Sequence, residues 1–228
     1  MPTSVRPVRP RRSSSIADIS APASVAAPGG RRTQTERREQ TQRKILDAAI
    51  TILHAKGYAG LSTVDVADLA AVSRGALTHH YPSKELLVAG ALQDVFAHAS
   101  QQGLARAHAR PTVEQALKAL LDDCQDFYYS GFFRIAIELA TVSGPEAEIA
   151  TRARDISATN RAPVEAAWAR ALADSGVPGK AAEDIVWLTG SVVRGLAVRK
   201  LLKDDPPRFK RLLTLWRQMV KHHLAATG

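Results

Sequence analysis

Apolar residues recur at helical spacing along the chain from about residue 35 onwards. No segment shows the strict alternation of apolar and polar residues that a half-buried strand needs. The first apolar helix face, which Gly57 can end, comprises Ile45, Leu46, Ala49, Ile50 and Leu53. The pattern therefore predicts an all-α protein.

Two short helices and a longer one follow this first helix. The pattern predicts helices over 63–70 and 74–81, joined by the turn 71–73, and a helix over 83–102 that ends near Gly103. The candidate caps are Ser62 with Asp65, Ser73 and Ser83, and the candidate core is Val66, Ala67, Val72 and Leu77. Two short helices behind a longer one are typical of a helix-turn-helix unit, although short helical hairpins are common.

Helical spacing continues through the rest of the chain. Pro163 is expected to kink or split the longest of these segments. The predicted helices are about 112–130, 132–142, 146–174 and 180–203, and a final helix that runs from the prolines at 206–207 to about Ala225.

The net charge of +9 is concentrated at the start of the chain. Residues 1–40 hold eight arginines against three carboxylates. Residues 1–32 are rich in Pro, Ser, Ala and Arg and lack apolar periodicity, which predicts a disordered basic arm. Such an arm could contact phosphates, or it could be an unstructured tail or a wrongly assigned start. A polyanion is the expected partner.

Several other function classes are disfavoured. The only cysteine, Cys124, excludes an intrachain disulfide or a multi-cysteine metal cluster and fits a reduced cytoplasm. No run of 18 apolar residues is present, so no membrane span is expected. Adjacent His79 and His80 point about 100° apart on a helix and do not chelate a metal well. No catalytic motif has supporting context, so we expect neither an enzyme nor a cofactor or metal.

Residues 57–88 resemble the TetR/AcrR family of bacterial transcriptional regulators. The resemblance rests on GYAGLSTVDVA at 57–67, AAVSRGAL at 70–77 and HHYPSKELL at 79–87, and it covers roughly a quarter of the chain. It implies a homodimeric repressor whose helix-turn-helix binds a palindromic operator, and whose larger helical domain takes a small molecule that releases the DNA. A DNA-binding protein without effector response and an activator remain alternatives.

This resemblance implies three segments and a location. They are the arm 1–32, a helix-turn-helix DNA-binding domain over 33–82, and an effector-binding and dimerisation domain over 83–228. The helix 83–102 would link the two domains. A cytoplasmic protein associated with the nucleoid through double-stranded DNA is expected.

The second short helix would enter the major groove. Arg74 could pair its guanidinium with a guanine or instead contact a phosphate, while Thr63 and Lys84 resemble phosphate-binding positions. Two residues depart from the family pattern: Ala71 replaces a turn glycine, and Thr78 replaces a tyrosine that reaches a phosphate. The full set of candidate DNA contacts is Thr63, Ser73, Arg74, Gly75, Ala76, Thr78, His79 and Lys84.

The effector is expected to be apolar or aromatic because ligand pockets are mostly apolar. Glu138 could recognise a polar group, but Arg134 four residues earlier favours a surface ion pair. The candidate pocket residues, which could equally be plain core, are Phe96, Phe127, Tyr128, Phe133, Ile137, Trp168 and Leu172.

The last two helices are candidates for the dimer interface. The helix at 180–203 is apolar on several faces, which suggests burial against both its own core and a partner. Gly190 and Gly195 within it suggest close helix approach. The predicted interface residues are Ile185, Leu188, Val192, Leu196, Phe209, Leu213, Trp216 and Val220.

Overall fold

The computed structural model describes residues 33–141 and 147–227. That part of the chain is all-α, as predicted. The predicted arm 1–32 and the connection at 142–146 lie outside the described residues. The helices are α1 Gln34–Lys56, α2 Thr63–Leu69, α3 Arg74–His80, α4 Lys84–Arg106, α5 Val113–Tyr128, α6 Gly131–Ala140, α7 Ala147–Asp174, α8 Gly179–Leu202 and α9 Pro206–Thr227.

The end predicted for α4 at Gly103 is wrong. The helix continues to Arg106, and the N–H of Ala107 donates to the Gly103 carbonyl at 3.0 Å. A Cβ on Gly103 would lie 2.7 Å from Cγ1 of Val164 on α7. This glycine therefore allows α4 to approach α7 closely and does not terminate the helix.

Pro163 does not split α7, contrary to one of the two expected outcomes. The helix is continuous from Ala147 to Asp174 with Pro163 inside it. It packs against α4, α6 and α8. Packing against several neighbours offsets the hydrogen bond that a proline cannot donate.

The first hydrophobic core joins the helix-turn-helix to the rest of the molecule. Val66, Ala67 and Leu77 are buried in it as predicted, and Val72 packs against it half-buried. Residues 87–92 of α4 contribute to the same core, as do Ile135 and Leu139 of α6 and Ile149 and Ala153 of α7. The predicted domain boundary between residues 82 and 83 stays a prediction.

A second hydrophobic core lies among α5, α7, α8 and α9. Trp168 of α7 is fully buried there, together with Leu120 of α5 and Leu172 of α7. Both α6 and α7 contribute to the two cores, since Phe133 of α6 and Val164 of α7 lie in the second. The helix-turn-helix is consequently held against the larger helical part by several helices and not by α4 alone.

Candidate DNA-binding surface and effector region

Serine caps fix the two short helices. The Ser62 hydroxyl accepts a hydrogen bond from the N–H of Val64 at 3.2 Å, and the Ser73 hydroxyl accepts one from the N–H of Ala76 at 3.1 Å. Asp65 pairs with Nζ of Lys56 at 3.0 Å. Of the capping box expected at Ser62 and Asp65, the structure shows the serine cap. The Asp65 carboxylate instead links α2 to α1 through Lys56.

The turn between α2 and α3 contains a left-handed residue. Ala71 has φ of 53°, and it is the only non-glycine residue with positive φ in the described chain. The N–H of Val72 donates to the Ala67 carbonyl at 3.0 Å, which closes the turn. A Cβ in this conformation costs about 1–2 kcal/mol. The departure from the family's turn glycine therefore places a strained alanine in this turn.

One face of α3 points away from the protein. Leu77 is buried and anchors the helix, whereas Arg74, Gly75, Thr78 and His79 are exposed. Ser73 is exposed as well, and Ala76 is half-buried. Six of the predicted DNA contacts therefore lie together at the start and along one side of a single short helix.

The remaining two predicted contacts lie at the starts of α2 and α4. Thr63 is the first residue of α2 and is half-buried. Lys84, the first residue of α4, places its Nζ 4.4 Å from the centre of the Tyr58 ring. The Tyr58 hydroxyl donates to the Glu85 carboxylate at 3.5 Å. Tyr58 thus restricts where the Lys84 ammonium can lie, which the sequence did not reveal.

Tyr81 fixes the angle between α3 and its supporting helices. It is buried just after α3, and its hydroxyl accepts a hydrogen bond from Nε2 of Gln42 on α1 at 3.3 Å. A Cβ on Gly90 of α4 would lie 2.9 Å from Cε1 of Tyr81. The absence of a side chain at Gly90 makes room for the tyrosine ring. Sequence reasoning missed the contacts of Tyr81 with Gln42 and with Gly90.

The two adjacent histidines have different surroundings. His79 is exposed, while His80 is half-buried, and the ring centres lie 5.7 Å apart. Burial lowers the pKa of His80, and His79 and Arg38 of α1 lower it further. Among the described residues, no group of three side chains is placed to hold a metal ion.

The comparisons with known proteins decide the family. The family described as "Bacterial regulatory proteins, tetR family" matches residues 45–91, which run from α1 into α4. The HTH-type transcriptional regulator CymR of Pseudomonas putida is 35% identical over 169 residues, which cover 74% of this chain and 83% of that protein. The chain belongs to the TetR family of transcriptional regulators.

Solved structures share the fold of this TetR-family protein. A TetR transcription regulator from Haloarcula marismortui matches with a TM-score of 0.62 at 19% identity, over 82% of this chain and 98% of that one. The multidrug binding protein EbrR, solved with proflavin, matches with a TM-score of 0.52 at 22% identity, over 80% and 98%. The protein is a DNA-binding transcriptional regulator and not an enzyme.

The predicted effector-pocket residues of this regulator fall into two groups. Tyr128, Phe133 and Ile137 line a cavity between α6 and the end of α8. Phe127 packs against Phe96, Tyr128 and Phe133, with ring centres 5.0–6.0 Å apart. Phe96, Trp168 and Leu172 do not line this cavity and are almost fully buried. The last three are enclosed within the chain, and their contact with an effector stays a prediction.

A buried polar cluster holds Trp168 in place. Its Nε1 donates to Oδ2 of Asp123 at 3.1 Å, and Nη1 of Arg161 donates to the same oxygen at 3.1 Å. Arg161 also approaches Sγ of Cys124 at 3.3 Å. Burial raises the pKa of the Cys124 thiol to about 12, so the thiol is not activated. Sequence reasoning did not anticipate this cluster, because Asp123 and Cys124 lie on α5 whereas Arg161 and Trp168 lie on α7.

The expected ion pair on α6 is present. Nη1 of Arg134 lies 2.5 Å from Oε1 of Glu138, and both side chains are substantially exposed. Glu138 is therefore paired on the surface.

The predicted dimer-interface residues differ in burial, and the interface itself stays a prediction. Five of its side chains are at most 8% exposed within a single subunit and pack in the second core: Ile185, Leu196, Phe209, Leu213 and Val220. Val192 and Trp216 are half-buried, and Trp216 donates to the Thr189 hydroxyl at 3.1 Å. Of the eight, Leu188 alone is exposed. When a helix is apolar on several faces, the spacing of its apolar residues does not show which face points inward.

The surroundings of Gly190 and Gly195 are known within one chain only. A Cβ on Gly190 would make an ordinary contact at 3.4 Å with the Tyr128 hydroxyl, and one on Gly195 would meet nothing within 4 Å. Within one chain, the helices do not approach either glycine so closely that a side chain could not fit.

No helix in the described chain is long and apolar enough to cross a membrane.

Proposed function

We propose that the protein is a homodimeric repressor that binds a palindromic operator and is released by a small molecule. The observation that carries the DNA-binding part is the exposed face of α3, where Arg74, Gly75 and Thr78 are free of the core that Leu77 anchors. The caps and Tyr81 fix this face before DNA arrives. A protein whose partner is the chromosome acts in the cytoplasm.

Recognition is proposed to divide between bases and phosphates. Arg74 at the start of α3 reads a guanine edge through its two-pronged guanidinium. Thr63 and the N-terminal amides of α2 face a phosphate, and Lys84, oriented by Tyr58, contacts another. Thr78 keeps a hydroxyl but reaches less far than a tyrosine, so its phosphate contact is shorter-ranged.

Dimerisation is proposed to use exposed apolar side chains on α8 and α9. These side chains line a face that a single subunit leaves in water, and burying them would be favourable. In a four-helix interface, α8 and α9 of both subunits would cover this face. Its members are Trp187, Leu188 and Leu202 on α8, and Leu212, Leu215 and Met219 on α9, which are 39–86% exposed.

Effector response is supported by the fold and by the cavity beside α6. EbrR shares this fold and was solved with proflavin, so the fold can hold a small aromatic molecule. The walls of the cavity include Tyr128 and Phe133, whose rings are 4.9 Å apart. In the dimer that binds DNA, the two α3 helices would be spaced to fit the two halves of the operator. An effector would act by binding more tightly to a form in which this spacing differs.

A thermal-shift screen followed by an operator-release assay tests this function. A compound class that raises the melting temperature and releases operator DNA from the same protein is the expected result. A protein that binds its operator tightly and ignores every stabilising compound would instead be a DNA-binding protein without effector response. If the expression of a reporter gene behind the operator rises when the protein is present, the protein is an activator.

A further inference from the structure

The cavity between α6 and α8 has an apolar floor and a cationic rim. Its volume is about 280 Å³. The charged residues in its lining are Arg134 and Lys200, and no carboxylate is among the described residues that line it. The apolar part of the wall consists mainly of Tyr128, Phe133, Ile137, Ala197, Val198 and Leu201. Such a lining favours a ligand with an apolar body and a negative charge.

The two cations are not equally available. Arg134 is already paired with Glu138 at 2.5 Å. Lys200 lies 3.9 Å from the nearest oxygen of Asp204, which is the limit of an ion pair. Its ammonium is also 5.6 Å from the centre of the Tyr129 ring. Lys200 is therefore the cation with most capacity left for a ligand.

Tyr129 supplies an unused donor at the same place. Its hydroxyl is buried and has no hydrogen-bond partner among the described residues. Burial raises the pKa of Tyr129, with a further contribution from the Asp204 carboxylate, so the hydroxyl keeps its proton and can donate. Buried polar groups in native proteins are rarely left unpaired. An acceptor atom of a ligand would satisfy this one.

We propose that this cavity binds an amphipathic anion, with its apolar body against Tyr128 and Phe133 and its acidic group held by Lys200 and the Tyr129 hydroxyl. As a regulatory site it rests on the proposed effector response. As a binding site it does not. The proposal also moves ligand recognition away from Trp168 and Leu172, which pack in the core.

The position of α6 connects this site to the DNA-binding helices. Residues at the start of α6 line the cavity, while Ile135 and Leu139 pack into the first core. A Cβ on Gly131 would lie 3.1 Å from the His54 ring of α1, and that ring is centred 5.8 Å from the ring of Phe132. An occupant that displaces the start of α6 would therefore press directly on α1.

A pair of fluorescent probes tests the site on the full chain. Anilinonaphthalene sulfonate is an aromatic anion, and N-phenyl-naphthylamine has the same aromatic body without the charge. We expect the sulfonate to bind at one molecule per subunit and at least tenfold more tightly than the neutral probe. Equal affinity of the two probes would overturn the proposal, because the cations would then contribute nothing.

Three variants locate the binding. Tyr129→Phe should weaken sulfonate binding about threefold to tenfold, which is the range for one hydrogen bond, without lowering the melting temperature. Lys200→Met should weaken the sulfonate about tenfold and leave the neutral probe unchanged. The matched control is Lys210→Met, because Lys210 lines only a neighbouring cavity that Tyr129 and Lys200 also border. A loss in Lys210→Met as large as that in Lys200→Met would overturn the assignment to this cavity.

Operator binding, measured on the same preparations, separates the two proposals. Sulfonate binding that depends on Lys200 and Tyr129 but leaves the operator complex intact supports the site and contradicts its role in effector response. Intact operator binding by a protein that binds neither probe overturns the site and leaves the DNA-binding function standing.

Discussion

Ala71 shows how a single residue can carry strain at a functional turn. Its φ of 53° is a conformation that glycine adopts freely. The turn sets the position of α3 relative to α2, so the strain lies at the start of the helix proposed to enter the major groove. The family resemblance pointed to this position, because Ala71 stands where the family has a turn glycine, and the structure adds its left-handed φ.

Replacing Ala71 with glycine should relieve the strain. We expect Ala71→Gly to raise the free energy of unfolding by about 1 kcal/mol, since removal of the Cβ penalty exceeds the added chain entropy. Denaturant or thermal unfolding measures the change. Ala70→Gly is the matched control, because Ala70 is buried and has an ordinary φ of −73°. We expect this control variant to be less stable than the wild type. Destabilisation of Ala71→Gly would show that the turn is not strained.

Arg74 is the residue on which base recognition depends most. Arg74→Ala should weaken specific operator binding by about 1–3 kcal/mol and relax the preference at one base position. Arg170→Ala, a change to an exposed arginine on α7, is the control and should leave operator affinity unchanged. Titration of labelled operator variants gives both numbers. Unchanged affinity in Arg74→Ala would remove it from this role.

Side chains that meet across distant segments were beyond sequence reasoning. The pair Arg134 and Glu138 was predictable, because its partners are four residues apart on one helix. The contacts of Tyr81 with Gln42 and of Asp123 with Arg161 join residues about 40 positions apart. Their formation depends on how helices pack, which periodicity does not specify.

At the scale of helices, local chemistry predicted starts better than ends. Caps such as Ser73 and Ser83 mark helix starts correctly. The start of α1 was detectable too, because Thr33 and Glu36 form a reciprocal capping box with bonds of 3.2 and 2.8 Å. Gly103 misled because a glycine can serve either as a terminator or as a site of close packing, and only the neighbouring helix decides.

Gly103 should be intolerant of a side chain. We expect Gly103→Ala to lower the free energy of unfolding by about 1–2 kcal/mol. The new methyl group would overlap Val164, and the cost of this overlap exceeds the gain in helix propensity. Gly179→Ala is the matched control, since a Cβ there would meet nothing within 4 Å. Thermal melts of both variants compare them. Equal stability of Gly103→Ala and wild type would show that α4 and α7 adjust freely.

At the scale of the whole molecule, the exposed apolar face on α8 and α9 is the feature that one subunit leaves unexplained. Sequence reasoning placed the predicted interface on α8 and α9, and most of the side chains it named point inward. A helix that is apolar on several faces lacks the polar face that would orient it. The structure identifies the outward side chains, of which Leu188 and Met219 are 51% and 56% exposed.

A charge on this face should separate the subunits. Leu188→Glu is expected to convert the protein from dimer to monomer at micromolar concentration and to abolish tight operator binding, because burying an unpaired carboxylate is costly. Leu104→Glu, on α4 with 42% exposure, is the control and should leave the dimer intact. Sedimentation velocity distinguishes the two species. A wild-type monomer at this concentration would contradict the proposed interface.

The proposed function requires sequence-specific DNA binding by a symmetric dimer. The most direct measurement is selection of genomic fragments from the source organism by the purified full chain at physiological salt. We expect an enriched palindrome with half-sites about one helical turn apart, roughly 34–36 Å, and weaker binding to it by Arg74→Ala. Retention of fragments without any common motif, with affinity falling steeply as salt rises, would contradict the claim and indicate non-specific phosphate binding.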